Sequence, residues 1–206
     1  MISALLVLAA LAADSMDPIG AAIERYRTLD SYQVVLKSSY GNQSDIIRYS
    51  YRKPGFVRMD FVQPHKGAVL IYNPLTKEVR LWPFGGRLLS LKLSPENRLV
   101  QSPTGQRVDK SDLGALLDNV KTLQHNGETT ILGEELVAGI KTVRLAVAGK
   151  GDFVVSNVHR YELWLDSGTL LPVKVVSRDV SDDVIETVVM DGLQINVMLA
   201  DELFNP

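Results

Sequence analysis

Ile47 to Pro64, IRYSYRKPGFVRMDFVQP, is the stretch whose reading decides the architecture. Ile47, Tyr49 and Tyr51 alternate with Arg48, Ser50 and Arg52 as far as Pro54-Gly55, and Val57, Met59 and Phe61 then alternate with Arg58 and Asp60 up to Pro64. A period of two sends successive side chains to opposite faces of a strand, so both segments read as half-buried strands. The Pro-Gly pair between them marks the turn of an antiparallel hairpin.

The same period extends in both directions. Upstream, Tyr32, Val34 and Leu36 alternate with Gln33, Val35 and Lys37 before the turn Gly41-Asn42-Gln43. Downstream, Ala68 to Tyr72 is apolar on both faces and reads as a central strand, Asn73-Pro74 turns into Val79 to Trp82, and Gly85-Gly86 leads to Leu89, Leu91 and Leu93. Further strands are expected at about Thr129–Val137, Lys141–Val147, Val158–Leu165, Leu171–Ser177 and Val184–Met190, with a short last one at Leu193–Val197. Two helices interrupt this meander. Asp17-Pro18 supplies an N-cap and a proline at the first helical position, followed by Ile19, Ala22, Ile23 and Tyr26 at helical spacing. Between Ser94 and Gly127, Pro95, Pro103 and Gly105 mark irregular chain, and Leu113, Leu116, Leu117 and Val120 trace an apolar helical stripe behind Ser111 as N-cap. Because sheet twist accumulates from strand to strand, so long a meander has to curl. The expected fold is mostly β (α+β): one strongly curved antiparallel sheet, its concave face covered by the two helices, forming a single domain over residues 14–206.

Composition narrows the function. Of 206 residues, 46% are hydrophobic and 22% charged, and 22 basic against 24 acidic side chains leave a net charge of -2. A nucleic-acid surface needs a basic excess that is absent here. The chain has no cysteine, which excludes disulfides, thiolate metal sites and a lipobox. Met1 to Ala13, MISALLVLAALAA, has the length of a signal-peptide apolar core and is too short for the ~20 residues of a spanning helix. With Ala10-Leu11-Ala12 as a cleavage site, residues 1–13 are expected to be an export signal and the mature protein to be soluble in the periplasm.

No catalytic constellation is apparent. His65, His125 and His159 lie in unrelated local contexts, and no H-E-x-x-H, G-x-S-x-G, P-loop or G-x-G-x-x-G occurs. Glu134-Glu135 and Asp182-Asp183 are adjacent pairs whose side chains diverge. No catalytic residue, metal site or cofactor is expected. The inward strand positions Tyr49, Tyr51, Val57, Met59, Phe61, Leu81, Leu89, Leu91, Leu93 and Leu163 form either an ordinary core or, because a curved sheet with little helix leaves a groove, the wall of an apolar binding site.

Tyr49 to Pro64 resembles the LolA and LolB lipoprotein-carrier superfamily, in which an aromatic strand ends in a basic residue and proline, an apolar strand follows, and a second proline closes the unit. Lys53, Pro54, Val57, Met59 and Pro64 hold those positions here. Leu29-Asp30-Ser31-Tyr32 is similar to the family's first helix-to-strand junction, and Leu203-Phe204-Asn205-Pro206 to its closing segment. The resemblance implies an incomplete β barrel with a helical lid, here Leu113, Leu116, Leu117 and Val120, over a cavity for acyl chains. It also implies a gating role for Lys53, at a position the carrier fills with arginine. The function so implied is a periplasmic carrier of lipid or lipoprotein acyl chains, with envelope proteins as donor and acceptor and at most transient membrane contact. An envelope stress sensor or partner-binding regulator on the same scaffold is the alternative.

Overall fold

The structure, a computed structural model, describes residues 17–84 and 89–205. The expected export signal and the Gly85-Gly86 turn lie outside the described residues. The elements are α1 (Pro18–Arg27), β1 (Ser31–Tyr40), β2 (Gln43–Arg52), β3 (Phe56–Gln63), β4 (Val69–Asn73), β5 (Glu78–Trp82), β6 (Leu91–Leu93), α2 (Leu113–His125), β7 (Gly127–Val137), β8 (Ile140–Gly149), β9 (Arg160–Asp166), β10 (Pro172–Arg178) and β11 (Val184–Ile195). They form one antiparallel sheet of 11 strands in the order β6-β5-β4-β3-β2-β1-β11-β10-β9-β8-β7. The sheet is two meanders joined by the pairing of β1 with β11, and it stays open, with β6 and β7 as its edges. This is the incomplete barrel, open at both edges, that the resemblance implies.

Local chemistry accounts for the elements and for three departures from expectation. The first is the N-cap of α2, which is Asp112 rather than Ser111: its carboxylate accepts from the amides of Gly114 and Ala115, while Ser111 donates to the Val108 carbonyl. A carboxylate also suits the positive end of the helix dipole better than a hydroxyl does. Second, the expected short strand at Leu193–Val197 is largely continuous with β11. Between Gln33 and Val35 on β1, β11 advances from Asp191 to Gln194, one residue too many, and Gly192 at φ 63° takes up the extra residue. That is a glycine-type β-bulge, which bends a strand without ending it. Third, β6 has three residues, and Leu89 lies outside it.

The core lies between the two helices and the concave face. α1 buries Ile19 and Ala22, and α2 buries Leu113, Leu117, Val120 and Leu123 against Leu145 and Val147 of β8 and Leu163 of β9. The helices are tied through Asp17, the α1 N-cap, which accepts from Lys121 Nζ at 2.6 Å and Gln124 Nε2 at 3.1 Å. Against partial desolvation, which works the other way, those bonds hold the Asp17 carboxyl down at about 2. On the convex face, Phe56, Ile71 and Trp82 are covered by Phe204 and Leu203 of the C-terminal tail.

Candidate functional site

The helices cover one end of the concave face and leave the other open. At the covered end Tyr32 stacks on Tyr51 and Tyr49, with ring centroids 5.0 and 5.9 Å apart, and Tyr26 of α1 closes over Tyr51 at 6.1 Å. Their hydroxyls fasten the start of α2 to the sheet. Tyr26 donates to Asp112 Oδ1 at 2.8 Å, the Leu113 amide donates to the Tyr32 hydroxyl at 3.1 Å, and the Tyr49 and Ser111 hydroxyls meet at 3.1 Å. Burial first, with the nearby Asp112 charge adding to it, pushes the Tyr26 and Tyr49 hydroxyls far above the ordinary tyrosine range, so both stay neutral.

Beyond this plug lies a cavity of about 710 Å³. Strand register builds its floor. One row runs Leu81–Leu70–Met59–Tyr49–Val34 across β5 to β1, and a second runs Phe61–Ile47–Leu36–Met190 across β3, β2, β1 and β11. The roof is the irregular segment 99–112 with Leu113, Leu116 and Asn119 of α2. Tyr161 of β9 also lines it, and burial pushes its hydroxyl up to about 12. Toward the β1–β2 hairpin the floor turns polar: Asp45 of β2 stands opposite Ser38 of β1, and Tyr40 of β1 and the paired Glu186 and Ser177 of β11 and β10 lie one row further out.

Of the expected groove residues, Tyr49, Met59, Phe61 and Leu81 line the cavity, as do Leu113 and Leu116 of the expected lid. The others lie elsewhere. Tyr51, Val57 and Leu163 are core residues, because the helices already fill the concave face above them, and Leu117 and Val120 point from α2 into that same core. Leu93 is partly buried against it, whereas Leu89 and Leu91 are exposed at the short β6 edge. Lys53 is also exposed, outside the cavity, and its Nζ donates to the Arg27 carbonyl at 2.7 Å. A cation there complements the C-terminal end of the α1 dipole and fastens that helix to the sheet, a backbone carbonyl of a covering helix being the kind of partner expected for Lys53. Residues that sequence reasoning did not single out include Leu36, Ile47, Leu70, Val188 and Met190 of the floor and Asp45 and Glu186 of the polar end. Strand parity carries a signal for the first five, since each shares the phase of a neighbouring inward residue.

Among the described residues no group of three or more His, Asp or Glu side chains is placed to hold a metal ion, and no helix is long and apolar enough to cross a membrane.

A search of the curated proteins gives no match. The solved structures give several. The Pseudomonas aeruginosa MucA/MucB complex aligns with a TM-score of 0.56 at 17% identity over 91% of this chain and 59% of that one, so the chain spans well under two thirds of its relative. An uncharacterized conserved protein from Thermus thermophilus aligns with a TM-score of 0.57 at 12% identity, covering 91% of both chains. The Mycobacterium tuberculosis lipoprotein LppX aligns with a TM-score of 0.53 at 11% identity over 89% of this chain and 95% of that one. Identities this low establish the shared fold. The sequence itself matches the MucB/RseB N-terminal domain family over residues 93–206, a stretch that holds the cavity roof, α2 and β7 to β11, and that is more than half of the protein: the chain belongs to the MucB/RseB family.

Proposed function

We propose that this domain binds the acyl chain of an amphiphile in its concave cavity and works in the bacterial envelope as a ligand-responsive regulator that acts through a protein partner. The observation that carries the binding is the cavity, about 710 Å³ and floored by two apolar rows, within the roughly 300–1,000 Å³ of small-ligand sites. Burial of an acyl chain gains about 0.8 kcal/mol per methylene, against ordering and association costs of ~4 to 15 kcal/mol. The net affinity is modest, which suits a reversible sensor. Family membership supports the regulatory half of the reading, because the Pseudomonas MucB has been solved in complex with MucA. Export through the segment 1–13 belongs to the same proposal, and N-terminal sequencing of protein recovered from the native envelope checks it.

Carriage of lipid or lipoprotein between an envelope donor and acceptor is the second reading, favoured by the LolA-like fold shared with the lipoprotein LppX. Native mass spectrometry of the purified protein, followed by titration with a fluorescent acyl probe, tests the binding common to both. A protein that carries no copurified lipid and binds no probe refutes both. Transfer of a bound probe to acceptor vesicles or proteins on a carrier's timescale would favour the second over the first.

A further inference from the structure

The polar end of the cavity is acidic, and among the described residues no cation pairs with its carboxylates. Asp45 on β2 and Glu186 on β11 flank β1 from its two sides, and both line the cavity. Asp45 is 9% exposed and accepts from the Tyr40 hydroxyl at 3.0 Å through Oδ1, while its Oδ2 has no partner among the described residues. Glu186 accepts from Ser38 Oγ at 2.6 Å and from Thr104 Oγ1 at 3.5 Å. Among the described residues no ion pair reaches either carboxylate.

The opposite face of the same sheet shows how this fold neutralises a buried acid that has a structural task. Glu162 on β9 is met by Arg144 at 2.7 Å, Arg160 at 3.2 Å and Arg178 at 3.3 Å. Among the described residues nothing comparable faces Glu186, where burial and the like charge of Asp45 push the carboxyl above the ordinary glutamate range. The remaining ionisable side chains of the cavity wall supply no such partner. Arg107 is held by Asp109 and Glu96, Asp112 by Tyr26 and the α2 amides, and His65 and Lys110 are exposed. Two carboxylates turned toward one cavity with no cation paired to either among the described residues destabilise the empty protein, and a positively charged ligand relieves that cost.

We infer that the cavity selects an amphiphile with a cationic nitrogen headgroup, an ammonium bridging Asp45 and Glu186 with its apolar tail along the rows that end at Leu81 and Phe61. The inference rests on the acyl-binding reading above and adds the headgroup to it. An ammonium has three donors, enough for Asp45 Oδ2 and the open lone pairs of Glu186. A phosphate or carboxylate head at this end would be repelled.

Calorimetric titration of the folded protein with three single-chain ligands of equal length, dodecylamine, dodecanol and dodecyl phosphate, tests the headgroup. Each is used below its micelle concentration and at constant ionic strength. The amine is expected to bind about ten-fold or more tighter than the alcohol, the margin of one or two charge-assisted contacts, and the phosphate weaker than the alcohol. In Glu186→Gln and Asp45→Asn the amine-over-alcohol ratio should collapse toward one. Removal of an exposed acid outside the cavity, Asp118→Ala, should preserve the ratio and so separates the site from general surface charge. Lowering the pH into the weakly acidic range should erode the ratio as Glu186 takes up its proton. An amine that binds no better than the alcohol, or a preference that survives both carboxylate substitutions, overturns the inference while leaving acyl binding intact. Absence of binding by all three ligands overturns acyl binding and the inference together.

Discussion

Glu162 and Glu186 belong to neighbouring parts of one sheet, yet their environments give opposite linkage to pH. Glu162, 4% exposed, would be raised by burial, but the Arg144 hydrogen bond and the charges of Arg160 and Arg178 hold its carboxyl below the ordinary value. Its contribution to stability is therefore full above the unfolded-state pKa and is lost as the pH falls through the folded one. Glu162→Gln strands three arginines around a neutral group and should cost about 2–3 kcal/mol, read as a lower urea midpoint at neutral pH. Glu186 behaves in reverse. With its folded pKa raised, the folded state binds the proton more tightly, so stability is lost as the pH rises through the window between the unfolded and folded values. Glu186→Gln keeps an acceptor for Ser38 and removes the charge, so it should raise the melting temperature at neutral pH, and the gain should vanish in acid below the unfolded pKa. A melting temperature unchanged or lowered at neutral pH would contradict this account. Neither role was legible in the sequence. Glu162 alternates normally between Tyr161 and Leu163, and Glu186 stands among apolar neighbours as a solvated acid would, because charge environment is set by strands distant in sequence.

On α2, the apolar stripe that sequence periodicity reveals divides into two functions. Leu117 and Val120 are fully buried against the β8 and β9 floor, while Leu116 lines the cavity and Asp118 is exposed. Leu117→Ala should cost about 3 kcal/mol of stability through the void it leaves, and denaturant unfolding measures it. Leu116→Asp should instead weaken binding of a fluorescent acyl probe by about ten-fold or more at modest cost in stability, because an unpaired carboxylate would face an apolar chain. Asp118→Ala should bind as the unaltered protein does. The helix and its stripe were legible because a 3.6-residue period needs nothing beyond the local sequence. The split between cavity and core was not, since it depends on where the segment 99–112 and the tyrosine plug leave space. The same limit explains why the strands were readable to within a few residues while Tyr51, Val57 and Leu163 were placed in the groove. Alternation gives the face of a strand, but not which part of that face a helix occupies.

At the scale of the whole molecule, the sheet packs on both sides, and its convex side depends on the tail. Phe204, 2% exposed, lies with its centroid 5.7 Å from that of Phe56, and the Arg52 guanidinium sits over both rings at 4.8 and 5.1 Å. Arg52 also donates to the Leu199 carbonyl and to Asp201, and Arg58 donates to the Leu203 carbonyl. Phe204→Ala should therefore free the segment from about Leu199 onward and cost about 3 kcal/mol, seen as lost stability and faster amide exchange at Arg58 and Ile71. The concave cavity should still bind its probe, since it lies on the opposite face. The pairing of β1 with β11 at the middle of the sheet has a consequence for how the protein is made. A chain that emerges N-terminus first presents β1 paired on its β2 side alone, and the other edge waits until β3 to β10 have been made and β11 follows. Until then the nascent protein carries an open strand edge at what will become its centre, a template for pairing with other chains. Arrival of β11 is thus the committing event in maturation: a chain that stops short of it yields two unjoined half-sheets instead of a smaller working protein, and the holding of that edge by a chaperone matters most in the interval before β11 arrives.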